Sequence, residues 1–137
     1  MKNTITIEAM VNAPIDKVWK YWNEPMHITK WCAASSEWHA PVAENDLKVG
    51  GKFTTTMAAK DGSMSFDFWG IYDQVKTDEL IEYTMGDGRK AQIVFSESRD
   101  ATKIVESFEP EVENPIELQQ NGWQAILNSF KSYTENN

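Results

Sequence analysis

The segment from Gly50 to Phe108 constrains the fold most, because alternating apolar and polar positions recur there between very short turns. The alternating stretches cover residues 52–59, 64–75, 80–85, 91–97 and 103–108. Asp61-Gly62 and Asp87-Gly88 are dipeptides typical of hairpin turns. Strands joined by connections this short pair as antiparallel neighbours, so the sequence predicts a meander.

One more strand and two short helices are predicted before the meander. Residues 4–11 alternate, with isoleucine, alanine and valine at the odd positions, which indicates a half-buried strand. After Pro14, residues 15–22 carry apolar side chains at helical spacing, with Asp16 in the first turn. Pro25 is expected to begin a second short helix over residues 25–29.

A long helix is predicted at the C-terminal end. Asn114-Pro115-Ile116-Glu117 is typical of a helix start, with Asn114 as the capping residue. The acidic stretch before it, which contains Glu106, Glu109, Glu111 and Glu113, is expected to be a solvated loop. An apolar stripe then follows at i, i+3, i+4 and i+7, formed by Trp123, Ile126, Leu127 and Phe130.

These elements together predict an α+β fold, formed by residues 1–137 as a single domain. The apolar face of a twisted sheet has to be covered, and the last helix is the only long element available. We therefore expect a curved antiparallel sheet of about six to seven strands to wrap around that helix. Such a sheet leaves space between its concave face and the helix, where a ligand cavity can form.

Charge and cysteine content exclude several classes of protein. The 13 basic and 21 acidic residues give a net charge of −8, which disfavours nucleic acids and anionic membranes as partners. No stretch approaches the roughly 20 apolar residues that a membrane-spanning helix needs, and the N-terminal residues lack an apolar signal-peptide core. A single cysteine forms no internal disulfide. A cytoplasmic protein, monomeric or homodimeric, is expected.

The segment HITKWCAASSEWHA, residues 27–40, contains both histidines and the only cysteine. His27, Cys32 and His39 are separated by four and by six residues. This spacing lacks the paired His or C-x-x-C arrangement of known metal sites, so no metal and no cofactor are expected. A free cysteine beside tryptophan is more typical of a small buried apolar residue than of a nucleophile.

Aromatic side chains are the stronger candidates for a site. On the longest predicted strand, Phe66, Phe68 and Tyr72 share one face, and Gly70 between them indicates a close approach by another element. Tyr72 and Tyr83 offer hydroxyl groups to a ligand, and Trp31 and Trp38 are expected at the cavity mouth. The candidate ligand-binding residues are Trp31, Trp38, Phe53, Met57, Phe66, Phe68, Tyr72, Tyr83, Phe95, Trp123 and Leu127. Plain core packing remains the alternative for each of them.

Six motifs occur in the order and spacing of a known family. They are APIDKVWKYW, Trp31, DLKVGGKF, WGIY, DELIEYT and NGWQAILNSF, and they span about Thr4 to Tyr133. The chain resembles the activator of heat-shock-protein-90 ATPase homologue family, a branch of the START-like helix-grip superfamily. The resemblance implies a helix-grip fold with a deep cavity between the sheet and the long helix. It also implies apolar ligands for many members, cyclase-type activity for a few, and chaperone ATPase stimulation by eukaryotic relatives.

Three functions follow as hypotheses. The first is a small-molecule binding protein whose partner is an apolar compound held in the cavity. The second is an interaction module that modulates a chaperone, although 137 residues leave no room for the further N-terminal domain expected of such an activator. The third is a cyclase-like or hydrolase-like enzyme with His39, Tyr72 or Tyr83 as acid or base, which no paired carboxylates or triad spacing support.

Overall fold

A computed structural model of the chain describes residues 3–137. Met1 and Lys2 lie outside the described residues. The prediction that the N-terminal segment lacks a signal peptide falls in part on these two residues. None of the helices within the described residues is long and apolar enough to cross a membrane.

The chain forms seven strands and three helices within the described residues. In chain order they are β1 (Ile5–Val11), α1 (Ile15–Asn23), α2 (Pro25–Trp31), β2 (Trp38–Asn45), β3 (Lys52–Ala59), β4 (Ser65–Lys76), β5 (Leu80–Met85), β6 (Lys90–Ser98), β7 (Ala101–Phe108) and α3 (Ile116–Asn136). The predicted meander, the first strand and the three helices are thereby confirmed. Strand β2 is the element that the sequence pattern did not predict.

Strand β2 escaped prediction because its side chains do not alternate cleanly. Its sequence includes Pro41, which cannot donate to a ladder and is tolerated at sheet edges. The register with β3 also shifts between His39 and Val42, as it does where a bulge interrupts a strand. Since β2 pairs only with β3, it is an edge strand, where both irregularities are permitted.

All seven strands form one antiparallel sheet in the order β1-β7-β6-β5-β4-β3-β2. Strand β1 pairs with β7, so the first strand extends the far end of the meander. The sheet curls into a half-barrel, and the predicted helix-grip fold is confirmed. Helix α3 packs against the β1 end of the sheet, whereas α2 packs against β2 at the opposite end.

The long helix begins differently from the prediction. Pro115, not Asn114, occupies the capping position, and no side chain caps the helix there. The Gln119 amide instead donates to the backbone oxygens of Glu111 and Asn114, at 3.1 and 2.9 Å. The loop and the first turn are therefore joined by a side chain from inside the helix.

The prediction that the acidic stretch is a solvated loop is wrong for its first residue, Glu106. Glu106 lies within β7 and is only 6% exposed, on the same face as the fully buried Ile104 and Phe108. The strand alternates strictly, so each second side chain from Thr102 onward faces the inside of the curled sheet. Glu106 is thus placed inside by register, in spite of its charge.

Candidate functional site

A cavity of about 310 Å³ lies between the concave face of the sheet and the helices. Its walls come from α1, α2, α3 and strands β2 to β5, together with Arg89 before β6 and Glu106 on β7. The lining residues are Trp22, Asn23, Ile28, Trp31, Cys32, Asn45, Phe53, Thr55, Met57, Phe66, Phe68, Tyr72, Ile81, Tyr83, Arg89, Glu106, Trp123 and Ile126. Aromatic and aliphatic side chains dominate this set, as they do in sites for apolar small molecules.

Phe53 is the centre of the aromatic wall on the sheet. Its ring centroid lies 4.8 Å from that of Tyr83, 5.3 Å from that of Tyr72 and 5.6 Å from that of Phe68. The ring lies over Gly70, where a Cβ atom would come within 2.7 Å of it. The predicted close approach at this glycine is therefore confirmed. Because glycine has no Cβ atom, the Phe53 ring can lie directly over the backbone at Gly70.

Helix α2 holds the opposite wall in place through hydrogen bonds at Trp31. The Trp31 indole donates to the Tyr21 backbone oxygen at 2.9 Å, and the Ser129 hydroxyl donates to the Trp31 backbone oxygen at 2.7 Å. The Trp22 and Trp31 rings lie 5.1 Å apart. These contacts connect α1, α2 and α3, so the Trp31 ring is fixed from both sides.

A chain of hydrogen bonds satisfies one group of polar side chains at the cavity. The Tyr72 hydroxyl donates to Asn45 Oδ1 at 2.5 Å, and the Asn45 amide donates to the Asn23 backbone oxygen at 2.7 Å. The Asn23 amide in turn donates to the Trp19 backbone oxygen at 2.9 Å. Burial raises the pKa of Tyr72, so its hydroxyl stays protonated and donates within this chain.

Glu106 and Tyr83 differ from that group, because neither side chain has a hydrogen-bond partner within residues 3–137. Burial alone raises the pKa of the Glu106 carboxyl to about 8. Burial, followed by the nearby Glu106 carboxyl, raises the pKa of Tyr83 well above its ordinary value. The same two causes raise the pKa of the Cys32 thiol to about 12. All three groups are therefore uncharged through most of the neutral range.

Eight of the eleven candidate ligand-binding residues line the cavity: Trp31, Phe53, Met57, Phe66, Phe68, Tyr72, Tyr83 and Trp123. Trp38 packs outside the lining, with its ring 6.0 Å from the half-exposed Phe66. Phe95 lies behind the wall, against Trp19 and Trp22. Leu127 is 1% exposed and belongs to the packed core.

The sequence reasoning missed the polar lining and one of the tryptophans. Trp22 is predicted only as part of a helical stripe, and Asn45 lies on the strand that the sequence pattern does not predict. Glu106 is predicted to be solvated, although its position in the alternation of β7 with Ile104 and Phe108 indicates that it faces inward. That alternation is the signal by which it can be found.

The structure separates the ligand-like side chains of residues 27–40. His27 Nδ1 lies 2.7 Å from the Tyr133 hydroxyl, in contact with α3, and its ring stacks on Tyr21. Cys32 lines the cavity with its Sγ 3.7 Å from Met57 Sδ, whereas His39 is exposed on β2. Across residues 3–137, no three His, Cys, Asp or Glu side chains are grouped as metal ligands would be.

Comparison with known proteins places this geometry among close relatives. Chr148 from Cytophaga hutchinsonii is 75% identical, with a TM-score of 0.84 over 98% of this chain and 93% of its own. The AHSA1-like protein from Aeromonas hydrophila is 42% identical, with a TM-score of 0.92 over 97% of this chain and 92% of its own. CV1439 from Chromobacterium violaceum, at 24% identity and a TM-score of 0.86 over 97% of this chain and 98% of its own, shares the fold. A search of curated proteins gives no match.

The family comparison agrees with the structural one. Residues 12–135 match the model of the family described as Activator of Hsp90 ATPase homolog 1-like protein. The matched region includes α1, α2, the whole meander and nearly all of α3, and so every element that lines the cavity. The chain belongs to the family of Activator of Hsp90 ATPase homolog 1-like proteins.

Proposed function

We propose that this protein binds one mainly apolar small molecule in the cavity between the sheet and helices α2 and α3. The observation that carries the proposal is a cavity of about 310 Å³ whose lining includes eight aromatic rings. Well-packed interiors contain few voids larger than a water molecule, so an open volume of this size is unusual for a plain core. It falls at the lower end of the range of small-molecule sites.

The favourable free energy of binding comes from apolar surface that is removed from water when a ligand packs against the rings of the cavity. The Phe53 ring contacts Tyr72 in a tilted arrangement and Tyr83 edge-on, and all three side chains line the cavity, where a flat ligand would pack against them. Each Å² of apolar ligand surface removed from water contributes roughly 25 cal/mol. The hydrogen bonds at Trp31 hold one wall in place before binding, which limits the conformational entropy that a ligand has to offset.

A thermal-shift screen tests this proposal. The compounds are bicyclic and tricyclic aromatics, medium-chain fatty acids and sterols, and we expect flat aromatics to raise the melting temperature in proportion to the logarithm of their concentration. If no compound raises it, the proposal fails.

Two variants of β3 show whether a ligand occupies the cavity. Thr55 lines the cavity, whereas Thr56 is on the other face of the strand and donates to Asp67. Thr55→Phe fills the cavity and should abolish the ligand-induced shift, and the matched Thr56→Phe should retain it. An equal loss in both variants contradicts binding at this site.

A second candidate function is stimulation of a heat-shock-protein-90 ATPase, and membership of the family supports it. The test adds the purified protein to the chaperone of the same organism and measures ATP hydrolysis. A rate that rises and saturates with protein concentration is expected under this hypothesis, and an unchanged rate removes it. Thr55→Phe separates the two candidates, because filling the cavity leaves the outer surface intact.

A further inference from the structure

Glu106 is surrounded by apolar side chains on the sheet. In register it pairs with Ile7 on β1 and with Ile93 on β6, and along β7 its inward-facing neighbours are Ile104 and Phe108. All four are buried to 3% exposure or less. The free side of the Glu106 carboxyl is the cavity, which it lines.

Tyr83 enters the same cavity from β5. It is 6% exposed and lines the cavity, as Glu106 does, and the Glu106 carboxyl contributes to the raised pKa of Tyr83. Their polar atoms have no hydrogen-bond partner within the described residues and, unlike the fully buried Thr134 Oγ1, they are open to the cavity. Two such groups that line one cavity indicate that a bound molecule supplies the missing partner.

The other titratable groups at the cavity leave Glu106 without a countercharge. The Tyr72 hydroxyl of β4 is bonded to Asn45, and the thiol of Cys32, the residue after α2, is neutral. Arg89, the cation in the described lining, donates from Nε to Asp87 at 2.7 Å and from Nη1 to the Glu109 backbone oxygen at 3.1 Å. The lining residues of α1, α3, β2 and β3 carry no titratable side chain.

We propose that Glu106 and Tyr83 act together as a neutral pair of hydrogen-bond donors that binds the carbonyl oxygen of an uncharged, otherwise apolar ligand. This inference rests on the proposed function and specifies its ligand class. A carbonyl oxygen has two lone pairs, which match one carboxylic O–H and one phenolic O–H. The ligand thereby satisfies both orphan groups without bringing a charge into the cavity.

Charged ligands fit this pair less well. A carboxylate bound at Glu106 would meet no countercharge there, because Arg89 affects the pKa of Tyr83 but not that of Glu106, and its guanidinium already pairs with Asp87. An ammonium group would require Glu106 to ionise, and the cost of desolvating both ions offsets the attraction between them. The preference for a neutral carbonyl is therefore a selection by charge as well as by shape.

Four compounds with one naphthalene skeleton test the inference by isothermal titration calorimetry at about pH 6.5. They are 2-acetylnaphthalene, 2-ethylnaphthalene, 2-naphthoate and 2-(aminomethyl)naphthalene. We expect the ketone to bind about tenfold more tightly than the ethyl compound, as two modest hydrogen bonds provide, and both charged compounds to bind more weakly than either. Equal affinity of the ketone and the ethyl compound overturns the inference, and so does tightest binding of the amine.

Variants assign the preference to the two side chains. Tyr83→Phe and Glu106→Leu should each reduce the ketone preference several-fold, while Glu106→Gln should retain it, because an amide also donates. Tyr21→Phe removes a hydroxyl that bonds Asn137 outside the cavity and is the matched control, with an unchanged preference. An equal loss in the control variant contradicts the assignment.

The pH dependence of the wild type provides a readout that needs no variant. Raising the pH from about 6.5 to about 9.5 ionises Glu106 and should remove the ketone preference, whereas Glu106→Gln should keep it. Binding of the probes without a ketone preference overturns this inference and leaves the proposed function standing. If none of the four probes binds and the thermal-shift screen finds no ligand, both proposals fail.

Discussion

The apolar inner face of the curled sheet is covered differently in its two halves. The packed half comprises β1, β6, β7, α1 and α3, and its members Val11, Val18, Ile104, Phe108 and Phe130 are completely buried. The hollow half comprises β2 to β5 and α2, and its large rings enclose the cavity together with Trp22 of α1 and Trp123 of α3. The position of α3 explains the difference. The helix packs against β1 and covers that end of the curled sheet, whereas at the other end large aromatic side chains extend from the sheet toward the helices.

The comparison shows that aromatic residues need not close a core. In the packed half Phe108 is completely buried and stacks on Trp123 of the cavity lining, with ring centroids 3.8 Å apart. In the hollow half Phe53 meets Tyr83 at 72° and Tyr72 at 39°, and all three rings line the cavity. The completely buried side chains are therefore concentrated in one half and most of the cavity lining in the other.

Removing one ring from each half should show the largest difference in stability between the two halves. Phe108→Ala leaves a void among fully buried neighbours and should lower the free energy of unfolding by roughly 3–5 kcal/mol. Phe68→Ala enlarges an existing cavity beside a half-buried ring and should cost roughly 1–2 kcal/mol. Urea denaturation of both variants measures the difference, and equal losses would contradict the division into a packed and a hollow half.

Glu106 lies at the boundary between the halves and should make stability depend on pH. Its pKa is about 8 in the folded protein, against an ordinary value of 4.5, so the folded state keeps a proton that the unfolded chain releases. The free energy of unfolding should therefore fall by roughly 4 kcal/mol as the pH rises from about 4.5 to about 8.

Glu106→Gln is the matched control for this pH dependence. The amide cannot ionise, so the difference in unfolding free energy between the variant and the wild type should grow over the same pH interval. Chemical denaturation at several pH values measures it. A constant difference would show that Glu106 is ionised or solvated in the folded protein.

The smallest expected effect concerns the hydrogen-bond chain at the edge of the hollow half. Asn45→Ala removes the acceptor of the Tyr72 hydroxyl and the donor to the Asn23 backbone oxygen, and it should cost roughly 1–3 kcal/mol. Glu44→Ala, at the exposed neighbouring position on β2, should change stability by less than roughly 0.5 kcal/mol. Thermal unfolding of both variants checks this, and a neutral Asn45→Ala would indicate that Tyr72 finds another partner.

Local patterns predict most of this fold but not the division between its halves. Hairpin dipeptides and period-two alternation are local, and they correctly predict β3 to β7. Phe95 and Leu127 are predicted to line the cavity, and both are buried, yet they lie outside the cavity lining. Periodicity determines the face of an element, whereas a residue's place along that face depends on where α3 crosses the sheet.

Glu106 shows a second limit of sequence reasoning. A carboxylate is costly to bury, so charged residues are assigned to the surface by default. The alternation of β7 contradicts that default at Glu106, and only the tertiary structure shows that a cavity lies beside it. Departures from a local rule of this kind tend to occur where a protein functions.

Three of the six tryptophans, Trp22, Trp31 and Trp123, line the cavity. Indole emission responds to the polarity and the quenching groups around each ring, so an occupant of the cavity changes the intrinsic fluorescence of the protein. The tryptophans of the candidate site therefore report ligand binding through their own fluorescence. A titration can be followed without a dye, a tag or a labelled ligand.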